Sequence, residues 1–124
     1  SGASGGGSEY TAVNMAAGQT ALVTGTDIND VPTESIGLTA DAAVNLTTMT
    51  LGVSGNVKWI IALDDDITLV QNTGSTTGGT LYLNSPTGVN LAMETGDVVG
   101  LVNIGGDGVV AHGYWMELNR KLQV

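Results

Sequence analysis

The densest group of side chains that could bind a metal ion is the run Asp64-Asp65-Asp66. Three carboxylates on one loop could provide oxygen ligands for Ca²⁺ if backbone carbonyls and a further acid completed the shell. The run lacks the alternating donors and the distant Glu of an EF-hand loop, and in extended backbone Asp65 points away from its two neighbours. Acids at a strand end also prevent edge-to-edge pairing, and we favour this structural role over a metal site.

Acid–base catalysis most often uses histidine, and the chain has a single one, His112. One histidine cannot form a multi-histidine zinc site, and the absence of cysteine removes thiolate ligands and a thiol nucleophile. A glycoside hydrolase that pairs Asp64 or Asp66 with Glu94 is an alternative, although nothing in the sequence sets the separation of those carboxylates. We therefore predict that the protein is not an enzyme and uses no cofactor.

Aromatic side chains can stack on sugar rings, and the chain has two Trp, three Tyr and no Phe. If the domain binds carbohydrate, the contact residues would be Tyr82, Tyr114 and Trp115. In a chain with so few aromatic residues, each is more often an anchor of the hydrophobic core. We predict that core role for Trp115 and for Trp59.

The segments that must position these side chains have the pattern of an all-β protein. Short runs rich in Val, Thr and Leu are separated by Gly, Asp, Asn and Pro at intervals of about 8–12 residues. No window shows the apolar stripe of a helix. The pattern predicts one domain over residues 9–124, a jelly-roll-like β-sandwich of about eight to ten short antiparallel strands. Residues 1–8, rich in Gly and Ser, are predicted to form a flexible, extended N-terminal arm.

The charge balance narrows the range of partners. The net charge is −9, and only three residues are Lys or Arg. Neutralising a phosphate backbone or an anionic membrane requires more cations than this, so we expect neither nucleic acid nor membrane as a partner. The chain has no apolar run of about 18 residues, and residues 1–8 lack the features of a signal peptide.

Two predicted strands, residues 57–63 and 98–104, are apolar on both faces. In a sandwich the outer face of each sheet is ordinarily wet, so something is expected to cover these strands. The cover could be another subunit or a long loop of the chain itself, and the sequence leaves both alternatives open. If a subunit or a capsid covers them, the predicted contact residues are Glu9, Tyr10, Val57, Trp59, Ile61, Val99 and Leu101.

Four segments in the second half of the chain occur in a characteristic order. They are Asp66-Ile67-Thr68-Leu69-Val70-Gln71-Asn72, Gly79-Thr80-Leu81-Tyr82-Leu83, Leu91-Ala92-Met93-Glu94-Thr95-Gly96-Asp97-Val98-Val99, and Asp107-Gly108 followed by Trp115-Met116-Glu117-Leu118-Asn119-Arg120. Together they resemble a domain of tailed-phage virion structural proteins, which include capsid-decoration (cement), head-fibre and tail-fibre proteins. The similarity covers residues 57–120 and departs from the pattern at residues 109–113, an insertion that lengthens the last hairpin.

The resemblance implies a jelly-roll-like sandwich that commonly forms a homotrimer and has no catalytic residues. The short chain favours a capsid decoration subunit, which would bind the major capsid protein on the outer surface of the virion after synthesis in the host cytoplasm. The alternative is a tail-fibre or adhesin module that binds a carbohydrate or another receptor.

Overall fold

The structure, a computed structural model of the chain, describes residues 10–24, 35–72, 74–86 and 88–122. These residues form eleven β-strands and no helix, so the all-β prediction is confirmed. The predicted arm and Glu9 lie outside the described residues. The strands are β1 (Thr11–Met15), β2 (Ala21–Val23), β3 (Ser35–Ala40), β4 (Val44–Leu46), β5 (Thr48–Thr50), β6 (Val57–Ala62), β7 (Ile67–Leu69), β8 (Thr80–Tyr82), β9 (Leu91–Ala92), β10 (Val98–Ile104) and β11 (Tyr114–Lys121).

Eight of these strands form one large sheet in the order β1-β3-β6-β10-β11-β8-β5-β2, and β9-β7-β4 form a small sheet. The predicted sandwich is confirmed, but its pairing is mixed rather than uniformly antiparallel. Of the nine strand pairs among the described residues, five are parallel and four antiparallel. The alternation of side chains identifies a strand and its buried face, whereas it carries no information about the direction of the neighbouring strand.

The large sheet is strongly curled, as the connection between its two edge strands requires. β1 and β2 lie at opposite edges, yet only residues 16–20 join them, through a tight turn in which the Gln19 amide donates to the Ala16 carbonyl at 2.9 Å. In a flat sheet of eight strands the edges would lie about 34 Å apart. Six residue steps span at most about 20 Å, so the sheet must bend towards closure. Its inner face is therefore concave and its outer face convex.

A single hydrophobic core fills the space between the concave face and the small sheet. On β6 the residues alternate, with Ile60 and Ala62 fully buried and their neighbours half-buried, as a strand with one face on the core requires. Leu46, Ile67 and Leu69 of the small sheet belong to the same cluster. The core thus fixes which side chains of each large-sheet strand point to the outer face.

Candidate functional site

The outer face of the large sheet is mainly apolar in its central strands. Residues directly opposite each other in paired strands share a face, so the register identifies its members. Trp59 lies opposite Gly100, and Val102 lies opposite both Val57 and Met116. Met116 in turn lies opposite Tyr82. In the four central strands β6, β10, β11 and β8, the apolar and aromatic residues of this outer face are Val57, Trp59, Ile61, Tyr82, Val98, Val102, Ile104, Tyr114, Met116 and Leu118. Towards the two edges of the sheet the register adds Ala12, Ala21 and Val23, and Val23 is 44% exposed.

The outer face carries no carboxylate within the described strands of the large sheet. Glu117 is the only acid in those eight strands, and it points to the inner face opposite Leu101. The chain nevertheless has twelve acidic residues and a net charge of −9. Among the acidic residues that the structure describes, all except Glu117 therefore lie in loops.

Six of the described carboxylates lie in loops at one end of the sandwich, here called the acidic end: Asp41, Asp64, Asp65, Asp66, Glu94 and Asp97. Hydrogen bonds join these loops. The Ala40 amide donates to Asp64 Oδ2 at 2.9 Å, and the Thr95 amide and hydroxyl both donate to Asp65 Oδ1 at 2.8 Å. The bonds from Thr95 lower the pKa of Asp65. These two carboxylates organise the loops of the acidic end.

The predicted Asp64-Asp65-Asp66 cluster does not form a converging set of ligands. Asp64 Oδ1 accepts the Asp66 amide at 3.0 Å, so this carboxylate closes its own turn while its other oxygen holds β3. Within the residues that the structure describes, no group of three or more His, Cys, Asp or Glu side chains could hold a metal ion. These bonds give Asp64 a structural role within its own loop. The predicted role of the three acids in preventing edge-to-edge pairing stays a prediction.

A β-bulge in β11 determines which of its side chains reach the outer face. Gly100 pairs with Asn119, but Leu101 pairs with Glu117, so Leu118 is an extra residue on β11. Glu117 and Arg120 are three residues apart and would point to opposite faces of a regular strand. The bulge lets both point inward and leaves Leu118 and Asn119 together on the outer face. Leu118 is 50% exposed as a result.

The inward pair forms a bidentate ion pair. Arg120 donates from Nη2 to Glu117 Oε1 at 2.6 Å and from Nε to Oε2 at 2.7 Å, and the Asn84 amide donates to Oε1 at 2.8 Å. Burial opposes ionisation of Glu117, but the bonds and charge of Arg120 together with the Asn84 amide bring its pKa below the ordinary value. The pair therefore stays charged and holds the bulge in place.

Two glycines on the outer face are covered by the chain's own aromatic rings. A Cβ atom at Gly100 would overlap the Trp59 ring, and one at Gly37 would overlap the Tyr10 ring. Glycine allows each ring to lie directly on the backbone of the neighbouring strand, a contact that protects the sheet hydrogen bonds. Trp59 is therefore half-buried on the outer face, and its predicted role in the core is wrong.

Trp115 is fully buried on the inner face, where its indole Nε1 donates to the Met49 carbonyl at 2.8 Å. The predicted core role of Trp115 is confirmed, and its role as a sugar-stacking residue is wrong because neither side of the indole is accessible. Tyr82 and Tyr114, the other two carbohydrate candidates, remain half-buried on the outer face. Their ring centroids are 4.6 Å apart, with the ring planes tilted by 42°.

The loop of residues 105–113 uses its polar side chains to hold its own shape. Asp107 Oδ1 accepts the amides of Val109, Val110 and Ala111 at 2.8–2.9 Å, and these bonds lower the pKa of Asp107. His112 Nδ1 accepts the Leu51 amide at 2.9 Å, so this ring nitrogen already has a structural partner. The two valines at the tip point into solvent.

No family model, curated protein or solved structure matches this chain. The resemblance to tailed-phage virion proteins therefore stays a prediction. Among the residues that the structure describes, no helix is long and apolar enough to cross a membrane.

The predicted contact residues divide between the two faces of the large sheet. Val57, Trp59 and Ile61 point to the outer face, and Tyr10 lies over it with 43% of its surface exposed. Val99 and Leu101 are wrong as contact residues because both are fully buried in the core. Their strand is apolar on both faces, and the sequence alone did not indicate which face the small sheet would cover.

The sequence analysis missed Met116 and Leu118, the most exposed of the ten apolar and aromatic residues on the outer face of the four central strands. Alternation along the strand predicts that Met116 points outward, because it lies between the inward-facing Trp115 and Glu117. Leu118 also fits that alternation, but Arg120 does not. The opposite charges of Glu117 and Arg120 were the available signal for a bulge.

Proposed function

We propose that this protein is a non-enzymatic structural subunit that assembles with copies of itself as a homotrimer. We further propose that the trimer decorates the outer surface of a virion capsid, where its partner would be the major capsid protein. The observation that supports self-assembly is the outer face of the large sheet, which in its described strands is mainly apolar and carries no carboxylate, in a chain of net charge −9. The capsid partner is supported by the sequence resemblance.

Electrostatics favours this face as the site of contact between copies. Two copies of an acidic protein repel each other most strongly where their carboxylates approach. The Debye length is about 8 Å at physiological ionic strength, so charges beyond that distance contribute little. A contact through the large sheet would keep the loops of the acidic end at the periphery, where their repulsion is screened.

The position of β11 suits a threefold arrangement. β11 lies between β10 and β8, and neither neighbour contains an acidic residue. Because the sheet is convex, the β10 side and the β8 side of β11 face in different directions. Each side could therefore contact a different neighbouring subunit. Head-to-tail contacts of this kind form a closed ring when the rotation between neighbours closes, and a rotation of about 120° would give three subunits. Three copies would also strengthen binding to a repetitive capsid through avidity.

Sedimentation velocity of the whole chain tests the proposal. We expect a species of three times the 12.5 kDa monomer mass. Its dissociation constant should fall as salt rises from about 0.02 M to about 0.5 M, because salt screens the repulsion between acidic subunits. A monomer or a dimer across the accessible concentration range would contradict the trimer. The proposed capsid role also requires that the trimer co-sediments with purified capsids of the virus to which it belongs.

The second candidate is a carbohydrate-binding or receptor-binding module. The adjacent Tyr82 and Tyr114 rings on the outer face support it, although the buried Trp115 cannot contribute. A glycan array distinguishes the candidates. Glycan binding by the wild type that is lost in Tyr82→Ala and Tyr114→Ala would favour the carbohydrate-binding function. An array on which the wild type binds no glycan would contradict a carbohydrate-binding function.

A further inference from the structure

We infer that copies of this chain meet along Met116 and Leu118, here called the β11 ridge. The inference rests on the proposed self-assembly and identifies its contact residues. The occupant of the ridge is a second copy of this chain, with the neighbouring residues of the outer face completing the contact. The sequence analysis had centred the contact on β6 and β10.

Exposure distinguishes the β11 ridge from the β6 side of the outer face. Met116 is 40% exposed and Leu118 is 50% exposed. Trp59 and Ile61 are half-buried by the chain itself, and one face of the Trp59 ring packs against Gly100. Apolar surface that is already covered gains little on association, so among the central strands β11 offers more surface to a partner than β6 does.

The bulge makes the ridge rigid before any partner binds. Leu118 is held outward because Glu117 and Arg120 are fixed inward by two charge-assisted hydrogen bonds of 2.6 and 2.7 Å. A side chain that projects from an ordered strand loses less entropy on binding than one on a mobile loop. Leu118 is therefore already held in an outward, exposed position before a second copy contacts it.

Charge points to a second copy as the occupant. The residues around the ridge on the outer face carry no carboxylate, and Lys121 is the cation of β11 that faces outward. Neighbouring copies can meet through such surfaces without the repulsion that the acidic surfaces of this chain would impose. A stable interface needs about 800 Å² from each partner, more than two side chains supply. Tyr114, Tyr82 and Val102 extend the contact on both flanks of the ridge.

The test compares ridge variants with matched variants at the tip of the 105–113 loop. The ridge variants are the double substitution Met116→Ser with Leu118→Ser, and the single substitution Leu118→Asp. The controls are Val109→Ser with Val110→Ser, and Val110→Asp. Val109 and Val110 are 73% and 74% exposed, so the control substitutions also remove exposed apolar surface, but they do so at the loop tip and not at the ridge. Near-ultraviolet circular dichroism of the buried Trp115 reports whether each variant is folded.

We expect the ridge variants to raise the dissociation constant of the trimer about tenfold or more, as loss of a central contact typically does. The loop-tip controls should leave it within about twofold of the wild type. If Leu118→Asp does not fold, the double serine variant decides the outcome.

The results separate this inference from the proposed function. A wild-type trimer that persists in folded ridge variants overturns the ridge as the contact and leaves self-assembly intact. Dissociation caused by the loop-tip controls alone also overturns the ridge. A wild-type monomer overturns the proposed self-assembly, and the inference that rests on it fails too.

Discussion

Glu117 and Arg120 show how one residue pair can control the surface on the other side of a sheet. Both side chains point inward, so the backbone between them must carry an extra residue, and that residue is Leu118. The pair is a bidentate ion pair whose Glu117 side chain is almost completely buried. Removing one charge leaves the other without its partner, which costs more than the loss of a surface ion pair.

We expect Glu117→Gln to lower the free energy of unfolding by about 2 kcal/mol at neutral pH, because a charge-assisted hydrogen bond is lost. The pKa of Glu117 is lowered in the folded protein, so its stabilising contribution is present above the unfolded-state pKa. That contribution is lost as the pH falls through the folded-state pKa. The difference between wild type and variant should therefore shrink in acid.

Urea denaturation at neutral and acidic pH measures this difference. Glu94→Gln is the matched control, because Glu94 is exposed at the acidic end. The control should change stability only slightly at either pH. A Glu117→Gln variant as stable as the wild type at neutral pH would contradict the role assigned to the ion pair.

At the scale of elements, the contact between Trp59 and Gly100 ties β6 to β10 on the outer face. We expect Gly100→Ala to displace the Trp59 ring, because a Cβ atom at position 100 would overlap it. Overpacking of this kind costs about 1–3 kcal/mol. The displaced indole should also become more exposed and its fluorescence emission should shift to longer wavelength.

Gly74→Ala is the matched control for this substitution, since a Cβ atom at Gly74 approaches nothing closer than 3.4 Å. Emission spectra and urea denaturation compare the two variants. The buried Trp115 contributes a constant background to both spectra. Equal stability and equal emission for Gly100→Ala and wild type would show that Trp59 does not pack as described.

The loop of residues 105–113 depends on one carboxylate for its shape. We expect Asp107→Ala to accelerate amide hydrogen exchange at Val109, Val110 and Ala111, because all three amides lose the same acceptor. Asp65→Ala is the reciprocal control, and it should accelerate exchange at Thr95 while leaving the three loop amides unchanged. Unchanged exchange at all three amides in Asp107→Ala would contradict this account of the loop.

The sequence was sufficient for the strands and insufficient for their arrangement. Alternation and turn residues correctly located the central strands β6 and β10, and the end of β6 before Asp64. The parallel pairs and the curl depend on long-range connections that local patterns do not encode. The inward position of Arg120 breaks the two-residue period, so period-based reasoning could not anticipate the bulge at Leu118.

The site was predicted less completely than the fold, for a related reason. A strand that is apolar on both faces does not reveal which face another sheet will cover, and Val99 and Leu101 were assigned to the wrong side. Likewise, an aromatic residue in a sequence can anchor either face of a sheet. Trp115 lies in the core, whereas Trp59 lies on the outer face, where Gly100 on the adjacent strand leaves space for its ring.

At the scale of the whole molecule, charge and apolar surface are segregated. Of the eight acidic residues that the structure describes, seven lie in loops, six of them at the acidic end, and the described strands of the large sheet contain only the inward-facing Glu117. A protein that only needed solubility would gain from acids on its largest exposed sheet. Their exclusion from that sheet is the expected arrangement for a surface on which acidic subunits meet.

Methionine oxidation tests the contact most directly, because the chain carries its own reporter. All four methionines lie in the described residues; Met15, Met49 and Met93 are buried, and Met116 is 40% exposed at the ridge. Dilute hydrogen peroxide should oxidise Met116 first, and mass spectrometry of peptides measures the rate at each site. We predict that Met116 is oxidised several-fold more slowly at protein concentrations where sedimentation shows the trimer than at concentrations where it shows the monomer. Equal oxidation rates of Met116 in the two states would contradict assembly through this face.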